Sequence, residues 1–268
     1  MSGTLEDLSA EQKQGLNQFR DTIKSKEYFN EKRHDDRCLL RFLRARKFDV
    51  AKAEEMLDAA EKWRKEFNVD AIKESEFDQK ELEIINKYYP KFYYKTDKDG
   101  RPVYIERLGY LNVPELYKAT TAERMLKHLV YEYEKCFDSR FPACSKASGK
   151  HIETSCTILD MHNVGIKSFY DVKDYVAQAS NIGQNYYPET MGKFYIINAP
   201  FLFTTVWSVV KGWLDPVTVS KIVILGKSYK DELLKQIPAE NLPKDFGGKS
   251  EDNIFSDPGP WNVTPNPQ

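Results

Sequence analysis

Lys221 is the one charged side chain in the run VTVSKIVIL, residues 217–225. Read as a strand, TVSKIVILG sets Val219, Lys221, Val223 and Leu225 on one face and Ser220, Ile222 and Ile224 on the other. Two largely apolar faces place such a strand at the centre of a sheet. An ammonium there reaches water, meets an acidic partner or meets an anion, because burying it unpaired is prohibitive. The last of these readings is an anionic ligand such as phosphate, with the Thr218 hydroxyl assisting. Arg46 and Lys47 close the helical stretch DDRCLLRFLRARKFD. Cations at a helix end gain roughly 0.3–1 kcal/mol from the helix dipole, and a phosphate site requires these two to converge with Lys221. Ser155 and Thr157 alternate on one face of ETSCTILDM, opposite Cys156 and Ile158. Two adjacent hydroxyls either satisfy neighbouring backbone or hydrogen-bond an ester or phosphate oxygen.

Signatures of covalent chemistry are missing. There is no G-x-S-x-G nucleophile elbow and no G-x-G-x-x-G dinucleotide loop. GGKS at 247–250 echoes a phosphate-binding loop, but Pro243 takes the position of the required first glycine. Cys38 and Arg44 have the spacing of a phosphatase loop, yet they lie inside a helical pattern without glycines to wrap an anion. The four cysteines, Cys38, Cys136, Cys144 and Cys156, have no C-x-x-C spacing and no nearby histidine at ligand spacing. The pattern therefore implies no metal, no disulfide framework and a reducing compartment.

The elements that carry these residues follow from periodicity. Up to about residue 87 the chain reads as helices: Leu39, Leu40, Phe42 and Leu43 make one apolar stripe, and Val50, Ala53, Leu57 and Ala60 another. From Pro90 the pattern changes. KFYYKTDKDGRPVYIERL is two β-rich runs around a turn containing Asp99-Gly100, a hairpin signal. TAERMLKHLVYEYEKCFDSRF reads as one long helix capped by Thr121. ETSCTILDM and GKFYIINAP are strands, with a helix at DVKDYVAQASNI between them. The tail beyond Phe246 is irregular. This alternation predicts an α/β sheet with helical cover behind a helical lobe. The expected boundaries are 1–88 for the helical N-terminal lobe, 89–250 for the sheet domain and 251–268 for the tail.

Forty basic residues stand against 41 acidic ones in the 268-residue chain, a net charge of -1. Bulk charge therefore disfavours nucleic-acid binding. MSGTLEDLSAEQ lacks the apolar core of a signal peptide, and there is no lipidation motif at either end. The expectation is a cytoplasmic protein whose contact with membranes is peripheral and reversible.

One segment is unusually apolar: no charged residue occurs from Phe194 to Val210. It is too short to cross a bilayer, which takes about 20 apolar residues. On a helical projection Leu202, Phe203, Val206, Trp207, Val209, Val210, Trp213 and Leu214 span an arc of about 160°. Phe201 intrudes on the other side, and Pro200 and Asp215-Pro216 bracket the segment. It is either an ordinary core helix or a movable lid over an apolar cavity, with a rim that enters a membrane interface.

LLRFLRARKFDV, KTDKDGRPVY, ETSCTILD, QNYYPETMGKFYIINAPF, LDPVTVSKIVILG and LLKQIPAENLPKDFGG together resemble the CRAL-TRIO family. More narrowly, they are similar to its fungal-type phosphatidylinositol/phosphatidylcholine transfer proteins. The collinear blocks extend from about residue 5 to 262. The resemblance implies a helical N-terminal lobe, then a CRAL-TRIO lipid-binding lobe with a mixed β-sheet floor, an apolar pocket and a helical gate. It places the inositol phosphate on Arg46, Thr218 and Lys221, with Lys47, Asp97 and Glu189 near the inositol ring. Choline-lipid binding maps to Tyr93, Tyr104, Tyr133, Ser155 and Thr157. The gate falls on Phe201, Phe203, Val206, Trp207, Val209, Val210 and Trp213. Gly248 matches a position that accepts only a small residue. Arg107 departs from the pattern, following Glu106 where a second acid is expected.

The function so implied is exchange of phosphatidylinositol and phosphatidylcholine, one at a time, at Golgi or endosomal membranes, with presentation of phosphatidylinositol to a lipid kinase as a further role. A phospholipid ligand, no cofactor, no catalysis and a monomer go with it. A carrier of another small apolar ligand on the same fold is the alternative; the joint presence of Arg46, Glu189, Thr218 and Lys221 argues against it. A lipid hydrolase would need an activated nucleophile, which the motifs do not supply.

Overall fold

The computed structural model describes residues 3–74, 77–201 and 203–262. The chain opens with helices α1 (Ala10–Lys24), α2 (Asp36–Ala45), α3 (Val50–Glu66) and α4 (Val69–Glu74). Short polar side chains start them. Ser9 and Gln12 close a reciprocal capping box on α1, and Asp35 and Asp49 accept backbone N–H bonds at the starts of α2 and α3. Then come α5 (Gln79–Tyr88), β1 (Lys91–Thr96), β2 (Pro102–Arg107), α6 (Val113–Leu116), α7 (Ala122–Lys135), α8 (Phe141–Ser148), β3 (Ser155–Asp160) and α9 (Ile166–Asn185). The chain continues through β4 (Met191–Ile197), α10 (Phe203–Lys211), α11 (Pro216–Ser220), β5 (Ile222–Ile224) and α12 (Lys230–Gln236).

Two compact units result. The first comprises residues 1–71 together with 181–189, and the second 72–180 with 190–268. In the first, Leu16, Phe19 and Ile23 of α1 close on Leu39, Leu40, Phe42 and Leu43 of α2 and on Ala53, Met56 and Leu57 of α3. The returning segment joins this unit through Tyr186, whose ring stacks on Trp63 at 4.1 Å.

The second unit is built on a mixed sheet. Among the described residues its five strands run in the order β1-β2-β3-β4-β5, the first pair antiparallel and the rest parallel. The β1–β2 connection is the expected hairpin, with Gly100 at φ 81°. Phe92, Tyr94, Val103, Ile105, Cys156, Ile158, Tyr195 and Ile197 point to one face and pack under Tyr229, Leu233, Ile237, Leu242 and Phe246. That face is sealed. The tail fastens its outer edge: Lys95 N–H donates to the Pro258 carbonyl at 2.6 Å, and the Tyr94 hydroxyl to Ser250 Oγ at 2.7 Å.

Two expectations change. The single helix over residues 121–141 is interrupted, because Cys136–Arg140 forms a π-helical turn between α7 and α8. TVSKIVILG is not a central strand. Asp215 caps α11, with Pro216 in its first turn, so Thr218 is helical and Lys221 is the C-cap. Only Ile222–Ile224 pair with β4, at the sheet edge. The Asp-Pro cap overrides the β-branched run because it pre-sets φ and supplies a side-chain acceptor where helix N–H groups need one. Lys221 therefore needs no buried counter-charge to explain its presence.

Arg107, the departure from the expected acid, is accounted for. Its guanidinium lies 3.2 Å from the Asp245 carboxylate and 4.5 Å from the centre of the Tyr110 ring. That contact ties β2 to the segment before Gly248. A side chain at Gly248 would collide with the carbonyl oxygen of Leu242, a backbone atom that cannot swing aside. Gly248→Ala is therefore expected to lower the thermal midpoint by about 5 °C or more. Scanning calorimetry checks this, and an unchanged midpoint would show that the turn yields freely.

Candidate functional site

The second sheet face is not sealed. By strand alternation and register, one row across it reads Tyr93, Tyr104, Thr157, Phe194 and Ile222. The next reads Lys91, Glu106, Leu159, Ile196 and Ile224. Helix α10 covers the far end: Phe203 and Val206 pack on Ile196, Met161 and Val164, with Trp207, Val210 and Trp213 alongside Leu159, Phe194 and Ile222. The rest of the face is half-buried, including Tyr104, Glu106, Ser155, Leu159 and Phe194.

The electrostatics show what this partial exposure means. Burial raises the pKa of Tyr104 and Tyr175, pushes Tyr133 up to about 12 and raises the Glu106 carboxyl, although all four keep accessible surface. These side chains are enclosed by protein on most sides and still keep accessible surface, so this face is less completely filled than the opposite one. The less filled face combines aromatic rings, aliphatic side chains and a few polar groups, the composition of a small-molecule site.

The row of tyrosines is held from behind. Arg140, at the end of the π-helical turn, sits with its guanidinium 3.9 Å from the Tyr93 ring centre. It is 2% exposed at the side chain and is neutralised by Glu132 at 2.9 Å and Asp257 at 3.1 Å. The Cys136 thiol donates to the Tyr93 hydroxyl at 3.0 Å. Tyr93 in turn packs on Tyr104, ring centres 4.9 Å apart. Thr157 is buried beside them, and Ser155 Oγ donates to the Thr190 carbonyl at 3.5 Å. Tyr93, Tyr104, Ser155 and Thr157 thus share one face on three adjacent strands, and Tyr133 approaches from α7.

The other set of expected residues is divided between the units. Arg46, Lys47 and Glu189 belong to the first. Arg46 is the C-cap of α2, while Lys47 and Glu189 both adopt left-handed backbone, at φ 53° and 60°. The Glu189 carboxylate lies 3.9 Å from Arg44 Nε. Thr218 and Lys221 belong to the second unit, and the Lys221 N–H donates to the Thr218 carbonyl at 3.1 Å on one helical turn. Asp97 is also in the second unit, in the hairpin turn. Its carboxylate accepts from the backbone N–H of Asp99 at 2.9 Å and Arg101 at 2.8 Å, and from the side chains of Arg101 at 3.2 Å and Gln236 at 2.9 Å. On α10, Phe203 and Val206 are buried and Val209 is 41% exposed, while Phe201, before the helix, is 95% exposed. Leu202 lies outside the described residues.

Sequence reading does not single out Lys91, Tyr89, His128, Arg140 or Tyr175. The available signal is the hairpin register: once Asp99-Gly100 is a turn, Lys91 must share a face with Tyr93, Tyr104 and Glu106. Among the described residues, no helix is long and apolar enough to cross a membrane, and no acid, His and Cys group could hold a metal ion.

A sheet with one sealed face, one partly open face and a helix packed across the end of the latter is an architecture able to enclose an apolar ligand. The chain matches the CRAL/TRIO domain model over residues 86–248 and the CRAL/TRIO N-terminal domain model over residues 9–59, and it belongs to the CRAL/TRIO family. It is 57% identical to the SEC14 cytosolic factor of Kluyveromyces lactis, across 97% of this chain and 88% of that protein. It is 55% identical to the Sec14 cytosolic factor of Schizosaccharomyces pombe, across 86% and 81%. A phosphatidylinositol/phosphatidylcholine transfer protein of Arabidopsis thaliana, SFH12, is 42% identical across 96% of this chain and 48% of its own length. Among solved structures, Sfh5 superposes with a TM-score of 0.70 at 19% identity, covering 96% of this chain and 92% of that one, a likeness of fold.

His128 of α7 gives the margin of the partly open face a measurable pH signature. Its ring is held down at about 3, first by burial and then by the positive charge of Lys91. The unfolded chain takes up this proton near 6.5 and the folded chain only near 3. Stability is therefore complete above the first value and is lost as pH falls toward the second. Between pH 7 and pH 5 the His128 contribution is about 2 kcal/mol. His128→Leu is expected to flatten the stability profile over that interval by this amount, measured by urea unfolding at both pH values. An unaltered slope would show that the ring already meets water.

Proposed function

We propose that this protein is a phospholipid transfer protein that takes up phosphatidylinositol or phosphatidylcholine, one molecule at a time, and exchanges it at a membrane. The observation that carries the reading is the unsealed sheet face, with its aromatic and hydroxyl row, in a chain more than half identical to proteins named as Sec14 cytosolic factors. Tyr93, Tyr104 and Tyr133 offer ring faces to a quaternary ammonium, and Ser155 and Thr157 offer hydroxyls to a phosphate. The phosphatidylinositol headgroup uses Arg46, Lys47, Glu189, Thr218 and Lys221. Asp97, with its oxygens taken up by four donors, contributes by fixing the hairpin.

Energetics assign the labour. A diacyl lipid carries on the order of 30 methylenes at roughly 0.8 kcal/mol each, about 25 kcal/mol of apolar hydration. A charged hydrogen bond contributes roughly 1.5–3 kcal/mol. Pocket burial sets affinity and headgroup contacts select between lipids. Helix α10 is the gate: opening in water would uncover that hydrocarbon, whereas at a bilayer the exposed Phe201 and Val209 enter the interface and the cost falls. No nucleotide, cofactor or covalent step is involved. The protein works as a cytoplasmic monomer that visits Golgi or endosomal membranes and presents phosphatidylinositol to a lipid kinase.

Arg46→Ala or Lys221→Ala is expected to abolish phosphatidylinositol transfer between vesicles while sparing phosphatidylcholine. Ser155→Ile with Thr157→Ile should do the opposite, and equal loss of both lipids in either variant would refute the division of headgroup residues. Val209→Asp should slow exchange of both lipids several-fold, since a carboxylate resists entry into the interface. Wild-type rates in that variant would remove α10 from the gate role.

A further inference from the structure

Lys91 is a cation that phospholipid selection leaves unused. It is 9% exposed, on the edge strand β1, and alternation points it to the partly open face beside Tyr93 and across from Glu106. Its ammonium makes no hydrogen bond or ion pair among the described residues; its one close neighbour is the Tyr89 ring, 5.2 Å from ring centre to Nζ. Glu106 and Glu132 act on its charge only from beyond contact distance. Glu106 accepts a hydrogen bond from the Tyr89 hydroxyl, and Glu132 pairs with Arg140 at 2.9 Å. His128 is neutral at ordinary pH and adds no second positive charge beside it. Burial weakens the ammonium's hold on its proton and Glu106 only partly restores it, as expected of a charge short of a partner.

The surroundings specify what such a partner must be. The Tyr89 ring belongs to a closed apolar cluster with Ile85, Leu116 and Met125, whose half-buried margin is Leu108, Leu111 and Tyr175. A group that balances Lys91 must therefore be a compact anion carried on hydrocarbon. Half-buried Tyr175 packs on this cluster and half-buried Tyr104 stands one register row away, and neither hydroxyl has a hydrogen-bond partner among the described residues, so either is available to donate to the anion's second oxygen.

We propose that Lys91 marks a second subsite on this sheet face that takes the carboxylate of a single-chain fatty acid, with the chain lying against the half-buried Leu108, Leu111 and Tyr175. The phosphate of a diacyl lipid shares this anionic chemistry, but Ser155 and Thr157 on the neighbouring row already serve it. The proposal rests on the reading of this face as part of a lipid enclosure. Because a buried carboxylate bound to an ammonium gains a charge-assisted hydrogen bond that an ester cannot match, the acid is favoured over its ester by about tenfold.

The test compares binding of cis-parinaric acid and its methyl ester to the full chain at pH 8, by fluorescence, in wild type, Lys91→Met and Lys91→Arg. The expected result is an acid preference of about tenfold in wild type, none in Lys91→Met and its recovery in Lys91→Arg. Equal affinity for acid and ester in wild type overturns the proposal, whatever the variants do. So does an acid preference that survives Lys91→Met, or a Lys91→Met protein that loses phosphatidylcholine uptake while wild type never distinguishes acid from ester, which would assign the ammonium to phosphate. Vesicle transfer by the wild-type protein separates the two readings: absent transfer removes the lipid enclosure itself, whereas transfer without acid preference removes only this subsite.

Discussion

A sheet whose two faces are treated unlike each other is the constraint on which the second unit depends. One face is closed by α12 and the segment after it, with Val103, Ile105, Cys156 and Ile158 all at 0% exposure. The close approach of Gly248 to Leu242 and the Arg107–Asp245 pair hold that cover in place. Rigidity on this side lets the other side stay incompletely filled. Protein interiors ordinarily pack to crystal-like density, and a face left half-open must be supported from beneath.

The other face is arranged in register rows. Tyrosines and hydroxyls lie across one register line, and Lys91 and Glu106, opposite charges out of contact, lie across the next. Arg140, wedged behind Tyr93 from a π-helical turn, fixes the ring that the first row depends on. Such turns insert an extra residue and re-aim the side chains of the next helical turn, and they occur often at functional sites. Buried thiols at Cys136, Cys144 and Cys156 have their pKa values raised by burial, the reverse of what a nucleophile needs.

Much of this is legible in the sequence because the signals are local. Asp99-Gly100 sets the hairpin, alternation in SCTILD sets which hydroxyls share a face, and the LLRFL stripe sets the core of the first unit. The reading of Lys221 fails for an equally local reason, since aliphatic residues dominate TVSKIVIL while the Asp215-Pro216 cap decides its first half. The π-helical turn is invisible because its residues are ordinary helix formers. Lys91 escapes notice because a lysine beside a proline at a strand start reads as solvent-facing; only the tertiary cover of α7 and the Tyr89 ring makes it buried. The headgroup residues divided between the two units are nominated by resemblance, since no spacing in the chain brings Arg46 toward Thr218.

The brevity of β5 has a further consequence. Its three residues leave Val223 and Ile224 at 37% and 39% exposure on an unpaired margin of the sheet. A long, flat margin of that kind would template another chain and polymerise. Here the ladder is ended by Lys221 on one side and Gly226-Lys227 on the other, too soon for a neighbouring strand to gain a foothold. An apolar border this short therefore gives a second copy of the sheet little purchase for edge-to-edge growth.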